Sequence, residues 1–209
     1  MTEIFDIYDD NLNLIGTKER EAVHLDGDWH RTFHCWVIYR DVEGVDWVIF
    51  QKRHANKKIF PNYLDISAAG HYATGENADN GGLRELEEEL GLHVAYEDLI
   101  SIGRRVSAGH YGAYIDREVE DVFFYIFNQP LADYVYQREE LAGLVAVKVD
   151  EGIRLLTGDV DDIQQPAVGF DTPMISITRD DFIPTIDDYS LKILLLARQC
   201  LDGQRLLRV

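Results

Sequence analysis

The chain is short of most residues that mark special architectures. Cysteine occurs only at Cys35 and Cys200, which implies no disulfide framework and predicts two reduced thiols. With 16 glycines and 5 prolines, the composition excludes a collagenous or low-complexity polymer. No apolar run approaches bilayer length: the longest aliphatic stretch is ILLLA at 193–197, and the start, MTEIFDIYDD, is acidic where a secretory signal would be basic and apolar. Basic charge is scarce too. Twenty Lys and Arg face 38 Asp and Glu, a formal net charge of -18. Such a field opposes any polyanion at long range, so neither a nucleic-acid nor a membrane partner is expected, and a cytoplasmic location is the default.

What is present is ordinary globular material, 46% hydrophobic and 11% aromatic over 209 residues. That length accommodates one core with additions rather than two full domains. Residues 3–20 read as a hairpin, EIFDIYD and LIGTKER around the turn DNLN. Asp9, Asn11 and Asn13 mimic the opening of a calcium loop, but Leu14 and Arg20 stand where Gly and Glu are required, leaving a plain turn. RTFHCWVIYRDV and DWVIFQKR read as strands buried on both faces, and YLDISAAG as a shorter one. A helix is expected at about 77–90, then strands near LISIGRRVSAG, EDVFFYIFN and LAGLVAVKV, and a short helix at DEGIRLLTG. A loop with Pro166 and Gly169 should follow. A final helix is predicted at about 187–202, with Leu191, Ile193, Leu194, Leu195 and Leu201 forming its apolar face. This order predicts an α+β fold with a mixed sheet between helices.

One basic cluster stands out, Lys52, Arg53, Lys57 and Lys58 within QKRHANKK at 51–58. One acidic cluster does as well. At 100° per residue, Glu85, Glu88 and Glu89 fall within an arc of about 100° on the 77–90 helix, while Leu83, Leu86 and Leu90 form a separate apolar stripe and Glu87 points elsewhere. Gly91 supplies the left-handed residue that stops a helix, so Glu88 and Glu89 sit at the negative end of the dipole. Like-charge pairs at this spacing cost about 0.2–0.5 kcal/mol each, and the dipole adds roughly 0.3–1 kcal/mol per group. A divalent cation converts that repulsion into coordination, and carboxylate oxygens suit Mg²⁺. Gly81 and Gly82, poor helix formers, point to close backbone packing at the helix start.

The stretch GHYATGENADNGGLRELEEELGL at 70–92 places Gly70, Glu76, Arg84, Glu85, Glu88, Glu89 and Gly91 on every fixed position of the pattern GX5EX7REUXEEXGU, with U aliphatic. This resembles the Nudix hydrolase superfamily. The segments GTKERE, HLDGDWHRTFHCWVI, QKRHANKKIFPNYLD and ISAAGHYATGE extend the likeness, over roughly residues 1–150, to the branch related to isopentenyl diphosphate isomerase. The resemblance implies a Nudix-like α/β/α sandwich at 1–160, including the N-terminal hairpin at 1–20, with a C-terminal helical extension at 161–209 packing on the same domain.

It further implies metal ligands at Glu85, Glu88 and Glu89 with Gly70 beside them, Mg²⁺ or alternatively Mn²⁺ as cofactor, and structural roles for Glu76, Arg84 and Gly91. Glu85, Glu88, Glu89 and Glu120 are the candidate catalytic residues, and Arg53, Lys57, Lys58 and His71 the candidate substrate contacts. Glu85, Glu118, Glu120 and Glu140 are the acids available as general base. Tyr63, Tyr72, Tyr111 and Tyr114 are available to stack on a base or an apolar chain. The function implied is metal-dependent cleavage of a diphosphate linkage in a nucleoside diphosphate derivative or another organic diphosphate, a small-molecule substrate, with a homodimer possible.

Two alternatives are an isomerase-like enzyme and a non-catalytic nucleotide-binding regulator. His24, His30, His71, Glu118 and Glu120 have counterparts in the isomerase family. Against the first, the proton-moving cysteine of that family's CGH segment is replaced here by Ala69 in Ala69-Gly70-His71.

Overall fold

The structure, a computed structural model, describes residues 2–209. Eleven strands form one mixed sheet. Its axis is the long strand β3 (Trp29–Arg40), flanked by β4 (Asp46–Arg53) on one side. On the other side lies β8 (Tyr114–Ile126), parallel to β3 over Trp29–Ile38. β7 (Leu99–Tyr111) closes a long hairpin with β8, and β9 (Leu141–Lys148) extends the sheet beyond β4.

The predicted strand at 63–70 is split into β5 (Leu64–Asp65) on β4 and β6 (Ala68–His71) on β3. The split sits where β3 and β4 diverge. There Ser67 Oγ accepts from Val37 N at 2.8 Å and donates to the Ile49 carbonyl, satisfying groups that the ladder leaves open.

Alternation along β3 sorts its side chains between two cores. Phe33, Cys35 and Val37 face the helix α2 (Leu83–Leu90), packing with Leu86 and Leu90. Trp36 and Ile38 face α3 (Val149–Leu156) and α4 (Tyr189–Leu201), packing with Leu155, Ile193, Leu194 and Ala197. Helices therefore cover both faces of the sheet. None of the described helices is long and apolar enough to cross a membrane.

Four expectations are corrected. The hairpin of β1 (Ile4–Tyr8) and β2 (Leu14–Glu19) ends one residue early, and Arg20 opens a two-turn helix, α1 (Arg20–Asp26), that is too short for a 3.6-residue periodicity to register in the sequence. The 77–90 helix begins as a π-helical turn at Ala78–Gly82, because Gly82 lies against the Phe33 ring and Gly81 against Glu76. The stretch read as a loop forms β10 (Asp162–Val168) and β11 (Met174–Thr178). Pro166 is tolerated because β9 pairs only with Ala167 and Val168 beyond it. Leu195, assigned to the apolar face of the last helix, is 41% exposed.

β10, β11 and α4 thus add strands to the shared sheet and side chains to its core.

Candidate active site

Two sets of polar side chains lie on either side of β6. The first is the acidic end of α2. Glu89 is buried, and its Oε2 accepts from Ala69 N at 2.9 Å. Glu85 packs on Gly70 so closely that a Cβ there would lie 2.1 Å from its carboxyl carbon, which is why position 70 lacks a side chain. Glu88 is 53% exposed. Arg84 ties the group together, reaching Glu85 at 2.8 Å, Glu88 at 3.0 Å and Glu76 at 3.1 Å. Glu76 in turn accepts from Ala73 N at 2.9 Å. Gly91 ends the helix at φ 66, donating to the carbonyls of Glu87 and Leu86.

Burial raises Glu85 to about 7 although Arg84 opposes the rise, and burial raises Glu89 well above the usual carboxylate range. Each carboxylate carries its charge here at a cost that a cation would offset. Glu87 is exposed and faces His93.

The second set lies on the opposite face. His24 comes from α1, His30 and His34 from β3, His71 from β6, and Asp116, Glu118 and Glu120 from β8. The parallel register that sets His30 beside Glu118 and Thr32 beside Glu120 brings together residues nearly ninety positions apart. Potential ligand atoms of His24, His30 and His71 lie within 4.8 Å of one another, as do those of His30, Asp116 and Glu118, and those of His34, Glu118 and Glu120.

Two of the imidazoles have their tautomers fixed. His24 Nδ1 is 2.7 Å from the Arg20 carbonyl and His30 Nδ1 is 3.1 Å from the Asp28 carbonyl, so each Nδ1 carries the proton and each Nε2 presents a lone pair to the cleft. Burial lowers His30 to about 4 and lowers His71 well below its ordinary value, which keeps both rings neutral. Burial, reinforced by Asp116, raises Glu118 well above its ordinary value. Phe5 roofs the set, its ring stacked 4.7 Å from His71 and 5.7 Å from His30.

The buried atoms His30 Nε2, His71 Nε2, Asp116 Oδ1 and Glu120 Oε2 lack hydrogen-bond partners. Native interiors leave few such atoms without cause. Imidazole nitrogens and carboxylate oxygens converging in this way make a donor set suited to a divalent first-row metal ion.

The basic residues are placed differently from one another. Arg53 is consumed by the 54–63 loop, donating to the Phe60 and Ile59 carbonyls at 3.1 and 3.0 Å and to Asp65 at 2.7 Å. Lys57 pairs with Glu140 at 2.6 Å, and Lys52 with Asp181 at 3.5 Å. Lys58 stands at the rim of the histidine cleft, bonded at 3.0 Å to Tyr114 Oη, whose ring meets His24 edge-on. Of the other tyrosines singled out, Tyr63 and Tyr111 pack on Phe60, and Tyr72 lies under Arg31.

Sequence reading missed Arg20, His34, Arg105 and Asp116. Arg20 shares the undetected helix α1 with His24, and the spacing of four in REAVH was its one signal.

No thiol reaches the cleft. Ala69 sits opposite His34 in the β3–β6 ladder, while Cys35 is buried on the other face among Leu86 and Leu90, its thiol pushed far up by burial. Cys200 is buried on α4.

Residues 28–164 match the NUDIX domain family. An uncharacterized Nudix hydrolase of Clostridium acetobutylicum is 39% identical over 189 residues, covering 87% of this chain and 90% of that protein. An isopentenyl-diphosphate Delta-isomerase of Photorhabdus laumondii is 33% identical over 92 residues, 44% of this chain and 50% of its own. Among solved structures, a Deinococcus radiodurans protein superimposes with a TM-score of 0.52 at 18% identity, covering 75% of this chain and 90% of that one, which supports the fold. With its box intact over residues 70–92 and the family match covering 28–164, the chain belongs to the NUDIX domain family and is a Nudix hydrolase, acting on phosphoric anhydride bonds.

Proposed function

We propose that this protein is a divalent-cation-dependent pyrophosphohydrolase that cleaves the diphosphate linkage of a nucleoside diphosphate derivative or another organic diphosphate. The observation that carries the reading is the pairing, across β6, of buried carboxylates on α2 with a histidine–carboxylate cleft whose inward-facing atoms lack partners. Glu85, Glu88 and Glu89 would hold Mg²⁺ or Mn²⁺ through oxygen alone. His24, His30, His71, Glu118 and Glu120 would hold a cation that accepts imidazole, such as Mn²⁺. Bound there, the cations supply charge neutralisation on the phosphates and a lowered pKa for an attacking water.

The rest falls to the chain itself. Arg20 and Lys58 are exposed at the rim, ion-paired with Glu3 and Glu21, and Lys58 also bonds Tyr114 Oη; exchanging the two ion pairs for phosphate oxygens costs little, since surface ion pairs contribute about 0–1 kcal/mol. Arg20 offers a fork and Lys58 a point charge. Phe5, over His71 and His30, excludes water from the back of the cleft.

The isomerase reading finds the histidines it needs but no thiol beside them. A panel of nucleoside diphosphate derivatives, dinucleoside polyphosphates and isopentenyl diphosphate, assayed for phosphate or nucleotide release with Mg²⁺ or Mn²⁺, tests the proposal. Turnover of at least one compound is expected. Glu89→Gln should cost roughly 10³-fold, the several kcal/mol that a held cation contributes. Equal turnover by the variant removes the assignment of Glu89, and conversion of isopentenyl diphosphate to its isomer overturns the hydrolase reading.

A further inference from the structure

Glu120 is the most deeply buried acid of the cleft, 1% exposed, and its two oxygens are treated unequally. Oε1 receives Arg105 Nη1 at 2.5 Å and Ser107 Oγ at 2.6 Å. Oε2 receives nothing, although it is buried and lies 3.4 Å from His34 Nδ1. A guanidinium beside a carboxylate ordinarily closes on both oxygens as a fork. Here it does not, and the reason lies outside the segment 28–164 that matches the family.

Asp187, just before α4, takes Arg105 Nε and Nη2 at 2.9 Å each and so anchors the guanidinium in an orientation in which Nη1 bonds Glu120 Oε1 and no nitrogen bonds Oε2. Tyr189, the first residue of α4, lies under the same guanidinium, 4.3 Å from its carbon to the ring centre, and holds it flat. The Tyr189 hydroxyl accepts from Trp36 Nε1 at 3.1 Å and has its own proton to give to His34 Nδ1, also at 3.1 Å. When that proton is given, Nδ1 is the acceptor, and His34 then brings no proton to Glu120. Asp187 thus withholds one donor from Oε2, and Tyr189 withholds the other.

We propose that Asp187 and Tyr189 are positioning residues: through Arg105 and His34 they keep Glu120 Oε2 free of protein donors, as a ligand oxygen for the cleft cation. The inference rests on the assignment of Glu120 to the cation site made above. It gives the segment after residue 160 a role in the site, with the start of α4 setting the state of a carboxylate on β8. The geometry is selective because the bidentate bond from Nε and Nη2 to Asp187 fixes the rotation of the guanidinium, and in that rotation Nη1 alone is bonded to Glu120.

Cation binding to the metal-free protein tests this without substrate, so failure of the hydrolase assay and failure of this inference are separate results. Co²⁺ is the probe, read by isothermal titration and by the visible absorption that imidazole-bearing sites give. Asp187→Asn loses the charge that holds Arg105, whose fork then closes on Glu120. Affinity at the cleft should fall about tenfold or more, the usual cost of losing an outer partner of a metal ligand. Asp187→Glu should restore it to within about threefold, an outcome that a role in the fold alone would not produce. Tyr189→Phe should also weaken binding, and Arg198→Ala, on the far side of α4, should leave it unchanged.

Circular dichroism establishes that each variant is folded. Wild-type Co²⁺ affinity in folded Asp187→Asn and Tyr189→Phe overturns the proposal. So does wild-type affinity in Glu120→Gln, and so does unfolding of both positioning variants, since that would assign them to the fold and not to the cleft.

Discussion

The acidic end of α2 and the histidine cleft are both rich in charge, yet they are finished differently. Around α2 one arginine, Arg84, serves Glu76, Glu85 and Glu88, and a backbone amide serves Glu89. In the cleft the donors are aimed inward and left open, with His24 and His30 locked by carbonyls into the tautomer that presents Nε2. On α2 the exposed Glu88 tolerates its repulsion, because exposed like charges cost tenths of a kcal/mol, while the buried Glu89 and the part-buried Glu85 are met by the Ala69 amide and Arg84. A buried polar atom without a partner costs about 1–3 kcal/mol. Unpartnered atoms of this kind lie in the cleft and not among the α2 acids, so the cleft is the more dependent of the two on what it binds.

That contrast can be broken by experiment. If it holds, His30→Gln should lower Co²⁺ affinity by at least about 100-fold, since it deletes a ligand nitrogen where even outer partners are worth 10–100-fold. Glu88→Gln, 53% exposed and outside the cleft, should lower Co²⁺ affinity at the cleft by less than about fivefold, as a partly exposed charge contributes little at a distance. Equal losses in the two titrations would erase the distinction.

A smaller effect concerns pH. Glu85 titrates near 7 in the folded chain against an ordinary 4.5, so the folded state favours its protonated form. Its contribution to stability is fully present below pH 4.5 and is lost as pH rises to about 7. Glu85→Gln removes that loss. Urea denaturation of the metal-free proteins should show the variant gaining on the wild type between about pH 5 and pH 8, by up to about 3 kcal/mol. A constant difference across that range would mean that the Glu85 carboxyl is not desolvated.

The smallest effects separate the basic residues. Arg53→Ala should cost about 1–3 kcal/mol of stability, because two loop carbonyls and Asp65 lose their donor. Lys57→Ala, which removes a single, partly exposed ion pair with Glu140, should cost less, about 0–1 kcal/mol. The same denaturation measurement decides between them.

How much of this was legible in the sequence follows from the distance over which each feature is assembled. The box could be read because its acids share one helix, where spacing is direction. The central strands could be read from their apolar runs. The cleft could not be assembled, since it needs α1, β3, β6 and β8 together, and only the parallel β3–β8 register sets Glu118 beside His30. Its histidines were visible singly and their convergence was not. Asp116 and His34 carried no local signal at all. Helix α1 spans only two turns, and β10 carries a proline that reads as a break. Arg53 lay in a basic cluster that sequence assigns to phosphate, but the carbonyls of its own loop, which only the fold brings within reach, occupy it first.

Strand β6 is four residues long, and both sets of side chains hang on it. Ala69 gives its amide to Glu89, Gly70 makes room for Glu85, and His71 turns its ring the other way into the cleft. A tether this short has no slack. A shift that drags Glu89 drags the peptide carrying His71, so the α2 carboxylates and the imidazoles move as parts of one instrument, and a substitution at Ala69 or Gly70 is felt on both sides of the sheet at once.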